Sequence, residues 1–210
     1  MENVLVAGAN GTTGKKVVNL LKSSQYFNPI AMVRKKSQLA QFESEGITTV
    51  LGDLEKDITH TVQDIDRILF AAGSGGKKVK EVDQEGAKKL MDAGKSVNLK
   101  KFVMLSSMGA ENPEKATELK AYLEAKHNAD EYLKETGLNY AIVRPGALTD
   151  EVETGKIKLG TDLNERGSIS RADVAQTLVR ALHDNMANKK VFEILEGDTL
   201  IGKAMHAVED

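Results

Sequence analysis

The segment Gly8-Ala9-Asn10-Gly11-Thr12-Thr13-Gly14 constrains this chain more than any other. It follows the apolar run Val4 to Ala9 and precedes Lys15-Lys16-Val17-Val18-Asn19-Leu20-Leu21, whose apolar spacing is that of an amphipathic helix. A strand that passes through three glycines directly into a helix makes a tight βα turn. The first glycine permits the turn, the second lets a ligand approach the backbone, and the third lets helix and strand pack closely.

Downstream, short apolar runs alternate with longer amphipathic segments, the pattern of a parallel sheet with crossover helices on both faces. The runs are Val4 to Ala9, Pro29 to Val33, Ile47 to Leu51, Ile68 to Ala72, Lys101 to Leu105, Tyr140 to Val143 and Val191 to Leu195. Between them, helices are expected over Val82 to Val97, Leu119 to Thr136 and Arg171 to His183, with Gly137 as a C-cap and Gly46 closing the segment before the third strand. The expected fold class is therefore α/β, a doubly wound parallel sheet of about seven strands. Its 210 residues suit a single domain, 1–210, with a loop-rich stretch over 146–170 whose glycines 155, 160 and 167 lie on the substrate side.

On such a fold, the free N–H groups at the start of the first helix face phosphate oxygens, and the glycine turn reads as the diphosphate cradle of a dinucleotide on a Rossmann-type sheet. Gly8, Asn10, Gly11, Thr12, Thr13 and Gly14 are the candidate contacts. About 20 residues beyond the last glycine an acid would bind the ribose 2′-hydroxyl of NAD, whereas an arginine accommodates a 2′-phosphate. The chain has Arg34-Lys35-Lys36 at that point, so NADP is expected rather than NAD. Arg34 would clamp the phosphate and Lys35 would add charge.

Formal net charge is −2, from 29 basic and 31 acidic residues. With both signs interspersed there is no field to gather nucleic acid or an anionic membrane, and Lys77-Lys78 and Lys100-Lys101 read as solvated surface. Cysteine is absent, which excludes disulfides and thiolate metal sites. His60, His127, His183 and His206 lack metal-ligand spacing and read as surface residues, so no metal is expected. No apolar stretch reaches bilayer length and the amino end has no secretory pattern. The expectation is a cytoplasmic monomer or homodimer acting on a small molecule.

Two features suggest chemistry. Tyr122 and Lys126 stand four apart on one face of the helix after the fifth strand, so a phenol could move a proton while an ammonium supports the phenolate. Such a pair arises easily by chance, and its placement carries the argument. The fifth strand ends in Leu105-Ser106-Ser107, which puts two hydroxyls at the sheet's carboxyl edge, where ligands of open α/β sheets sit. Either could polarise a carbonyl; both also suit capping of the strand or the next turn.

These residues resemble the short-chain dehydrogenase/reductase superfamily, in particular its small atypical members of the epimerase-like or NmrA-like kind. The resemblance runs through Gly8, Gly11 and Gly14, Gly52-Asp53-Leu54, Ala71-Ala72-Gly73, Ser106-Ser107, Tyr122 with Lys126, Val143-Arg144-Pro145-Gly146 and Ser170-Arg171-Ala172-Asp173-Val174-Ala175. It implies that Asp53 and Leu54 flank an adenine, that the backbone of Ala71, Ala72 and Gly73 lines the adenosine ribose, and that Pro145, Gly146, Ala147 and Leu148 touch the nicotinamide end. It also implies a catalytic set in which Tyr122 is the acid/base and Lys126 holds the ribose. Asp83 stands where extended members place an asparagine, and Ser107 is taken as the catalytic serine, with Ser106 beside it at the cofactor. The implied activity is NADP-dependent hydride transfer between nicotinamide and a small carbonyl or alcohol. A non-catalytic NADP-binding redox sensor and a sugar epimerase or dehydratase are the alternatives.

Overall fold

The computed structural model describes residues 1–208. All seven expected strands are present: β1 (Glu2–Ala7), β2 (Phe27–Val33), β3 (Thr48–Leu51), β4 (Arg67–Phe70), β5 (Lys101–Leu105), β6 (Tyr140–Pro145) and, late in the chain, Lys190–Glu196. The segment read as loop-rich is more regular than expected. It contributes β7 (Ala147–Thr149), β8 (Lys156–Gly160) and β9 (Ser168–Ser170), so Lys190–Glu196 is β10 and Thr199–Leu200 is β11. The nine-stranded sheet runs β11-β8-β10-β6-β5-β4-β1-β2-β3, with β7 and β9 pairing as a separate ribbon. From β3 to β10 all neighbours are parallel, and β8 joins β10 antiparallel.

The strands alternate between two cores, as the period of a strand requires. On β1, Val4 and Val6 face α1 (Thr12–Lys22), α2 (Leu39–Ser44), α5 (Arg171–Ala181) and α6 (Ile201–His206), where Val17, Leu21, Phe42, Leu178 and Met205 pack. Leu5 and Ala7 face the other side, with Leu90 and Met91 of α3 (Ala87–Ser96) and Ala129 and Leu133 of α4 (Lys120–Glu135). A π-helical turn, Val79–Gly86, leads into α3, so the expected helix begins earlier than its periodicity suggested. The sheet is thus single-domain, mostly parallel and covered on both faces. Among the described residues, no helix is long and apolar enough to cross a membrane.

Several charges read as surface are not. Lys101 is fully buried at the amino edge, its ammonium on the carbonyls of His183 and Met186 and on Asn188. Arg67 is also buried there, bonded to Glu2, Asp184 and the Leu182 carbonyl. Both cations end on carbonyls just past α5, where the helix dipole favours positive charge. His127 and His183 are half-buried: the first reaches the Ala110 carbonyl at 2.8 Å, and the second packs edge-on against Phe27 at 4.9 Å.

Candidate active site

Strand order reverses direction between β1 and β4, and the chain turns away to opposite faces there, leaving a crevice at the carboxyl ends. Gly8 leaves β1 with φ +88°, and a Cβ on it would lie 2.6 Å from the backbone of Ala71 and Ala72 beyond β4. Gly14 is tighter still: its Cβ would come within 2.0 Å of the Gly8 carbonyl oxygen. Between them, Gly11 donates its N–H to Gly8 at 2.9 Å and opens α1 without a side-chain cap. The first-turn N–H groups are therefore left for a ligand.

A cavity of about 950 Å³ extends from this turn along the carboxyl edge. Its lining includes Gly8, Asn10, Gly11, Thr12 and Thr13 of the turn, Arg34, then Asp53 and Leu54, then Ala71, Ala72 and Gly73, and at the far end Asp83, Ser106, Tyr122, Lys126 and Leu148. An elongated cavity with a side-chain-free anion cradle and a cation at one end fits a dinucleotide. Arg34 is exposed; its backbone N–H and that of Lys35 both donate to Gln38 Oε1, at 3.1 and 2.9 Å, which shapes the turn after β2. Asp53 binds its own turn through Glu55 N at 3.1 Å.

Other residues singled out in the sequence lie outside the lining. Gly14 sits beneath the turn and Lys35 beside it. Pro145 ends β6, and Gly146 and Ala147 follow it outside the lining, where Gly146 packs against the Gly167 carbonyl, so Leu148 alone of that group reaches the lining. Ser107 is half-buried and its hydroxyl donates to the Met108 carbonyl at 3.1 Å.

Beneath the far end lies a buried polar cluster. Lys126, 3 % exposed, donates to the Leu105 carbonyl at 3.1 Å, stands 3.9 Å from Asp83 Oδ1 and lies 5.7 Å from the centre of the Tyr122 ring. Asp83, 1 % exposed, accepts the Ser74 N–H at 3.0 Å, tying the loop after β4 to the π-helical turn. One helical turn below Lys126, Asp130 is wholly buried; it accepts the Ser106 hydroxyl at 2.8 Å and Arg144 Nε at 3.0 Å. Burial pushes the Asp130 carboxyl above its ordinary range, against the opposing pull of Arg144 and Ser106.

Sequence reading missed several of these groups. Lys77 and Lys78, read as solvated, belong to the lining, and Lys78 pairs with Glu55 at 2.6 Å. Arg171 also lines the cavity, donating to the Leu148 carbonyl at 3.3 Å and to Asp150 at 3.0 Å. Asp130 had a signal: it stands four residues beyond Lys126, as Lys126 does beyond Tyr122, so all three share one stripe of α4.

Comparison with known proteins agrees with this geometry. The NAD(P)H-binding family pattern matches residues 8–185. "Uncharacterized sugar epimerase YhfK" of Bacillus subtilis (strain 168) is 40% identical over 210 residues, covering 96% of this chain and 98% of that protein. The solved structure titled "Putative NAD-dependent epimerase/dehydratase from Bacillus halodurans" has a TM-score of 0.92 at 36% identity, covering 100% of this chain and 99% of that one. The oxidoreductase ylbE from Lactococcus lactis has a TM-score of 0.89 at 32% identity, covering 98% and 96%. With a glycine cradle at the strand-order reversal and a family match over most of its length, this chain belongs to the NAD(P)H-binding family, as an atypical Rossmann-fold member of the oxidoreductase/epimerase superfamily.

Proposed function

We propose that the protein exchanges hydride between NADP(H) and an oxygen-bearing carbon of a small substrate, with Tyr122 as the acid/base. The observation that carries this reading is that Tyr122 and the buried Lys126 line the same cavity as the glycine cradle. A bound nicotinamide supplies the hydride carrier. The chain's own work is to bind, to orient and to move one proton. The uncapped start of α1 holds the diphosphate, and Arg34 at the exposed end takes the 2′-phosphate, which selects NADP over NAD. Tyr122 gives its hydroxyl proton to the substrate oxygen as a carbonyl is reduced, or takes it as an alcohol is oxidised. Lys126, fixed by the Leu105 carbonyl and by Asp83, places a positive charge 5.7 Å from the centre of the ring that carries the phenolate after proton donation.

The test is NADPH oxidation across a panel of aldehydes, ketones and quinones with wild type and Tyr122→Phe. The variant is expected to lose about 10²- to 10⁴-fold in turnover with the NADPH dissociation constant unchanged. An unaltered rate removes Tyr122 as the acid.

The relatives named as epimerases favour a second reading in which the hydride returns to the same substrate. Both chemistries use hydride exchange at one carbon, net reduction starting from the carbonyl and epimerisation from the carbinol. Epimerisation would invert a carbinol centre with no net change in nicotinamide absorbance, whereas net reduction consumes NADPH mole for mole.

A further inference from the structure

We propose that Asp130 and Arg144 fix the Ser106 hydroxyl as a hydrogen-bond acceptor toward the cavity, so that this point of the site takes a ligand group bearing an O–H or N–H and does not polarise a carbonyl. The inference rests on reading the cavity as a site for a nicotinamide nucleotide and its substrate.

One carboxylate oxygen sets the polarity of this contact. Asp130 Oδ2 accepts from Ser106 Oγ at 2.8 Å and from Arg144 Nε at 3.0 Å, and Arg144 Nη2 also lies 3.0 Å from it. A guanidinium has donors only, so Oδ2 is an acceptor whatever the protonation of the carboxyl. If Asp130 takes up a proton, it sits on Oδ1, which is buried and has no partner. The Ser106 hydroxyl is therefore the donor in this bond, with its hydrogen turned toward Asp130, which lies outside the cavity lining. A hydroxyl has a single hydrogen and two lone pairs, and the lone pairs are what Ser106 can offer a ligand. Its backbone cannot swing to escape this, because Ser106 N–H is bonded to the Val143 carbonyl at 2.8 Å.

Ser107 does not take over as donor, since its hydroxyl is spent on the Met108 carbonyl. The carbonyl-polarising role thus falls to Tyr122, and Ser106 reads a neighbouring donor. That donor is either the carboxamide N–H of the nicotinamide or a hydroxyl adjacent to the reacting carbon. Asp130 and Arg144 are positioning residues here: neither belongs to the lining, and both act through Ser106.

Two ligand pairs separate the sources. The first is NADP⁺ against its 3-acetylpyridine analogue, which lacks the carboxamide N–H. The second is 2-hydroxyacetophenone against acetophenone, each titrated by ligand-observed NMR onto the NADP⁺ complex. Wild type is expected to prefer the donor-bearing member of one pair by about tenfold, the cost of an acceptor left unmet, and the pair that shows it identifies the source. Ser106→Ala should bring that preference within twofold of unity. The paired change Asp130→Leu with Arg144→Met replaces the buried ion pair by apolar volume, which proteins generally tolerate, and should relax the preference by freeing the hydroxyl to rotate. Asp130→Asn, whose amide oxygen can accept the same donors, should retain it. Equal affinity within both pairs, failure of either ketone to bind together with equal cofactor affinities, or a preference that survives Ser106→Ala overturns the proposal while the cofactor reading stands. Failure of NADP⁺ itself to bind overturns both.

Discussion

Arg34 shows what a single residue contributes and how far it is readable. Its position follows from counting past the glycine turn to the end of β2, so sequence alone placed it. Arg34→Ala should raise the NADPH dissociation constant about ten- to a hundredfold, the range for a lost charge-assisted contact, while leaving NADH binding nearly unchanged in a fluorescence titration. Equal losses would refute the 2′-phosphate assignment. Lys77 and Lys78 occupy the same cavity but were not readable, because their local pattern is that of any glycine-flanked basic pair. Only the adjacency of β1 and β4 brings them to the cradle. Arg144 belongs to a motif legible in the sequence, yet its task is set by a partner on α4, and no local spacing between strand and helix reveals that contact.

Among elements, the buried parallel strands were legible because strands covered on both faces read as continuous apolar runs. β8 was not, since Lys156-Ile157-Lys158-Leu159-Gly160 sits near the sheet's edge with alternate residues exposed and glycines at both ends. What holds this region is the first turn of α5. Ser170 caps that helix through the Asp173 N–H, and the Asp173 carboxylate accepts the N–H groups of Gly155 at 2.8 Å and Thr154 at 3.1 Å. The segment leading into β8 is thus tied to the helix whose Arg171 lines the cavity. Asp173→Ala removes these bonds and leaves their donors unmet, at about 1 to 3 kcal/mol. At about 2 to 4 °C per kcal/mol for a chain of this size, Tm should fall by several degrees. Hydrogen exchange should quicken first at residues 154 and 155; uniform loss of protection would place the effect elsewhere.

Across the whole molecule, the carboxyl edge of the sheet is open for ligand and the amino edge is locked by buried charge. Glu2, on the first strand, joins Arg67 of β4 and Lys100, while Arg67 and Lys101 hold the carbonyls that follow α5. The hydrogen bond from Arg67, aided by Lys100 and opposed by partial burial, lowers the Glu2 pKa from 4.5 to about 2. A carboxyl whose pKa is depressed by folding stabilises the native state above its unfolded value and loses that stabilisation as pH falls. The contribution of Glu2 is therefore complete above about pH 4.5 and disappears on descent toward pH 2. Glu2→Gln keeps the size but not the charge, so at pH 7 it should cost about 1 to 3 kcal/mol, with Asp184 still satisfying part of Arg67. Below pH 2 the two proteins should converge, because the wild-type carboxyl is then protonated as well. Urea unfolding at pH 7, 4 and 2 checks this. A gap that persists unchanged at pH 2 would assign the loss to packing at the amino edge instead of to the ion pair.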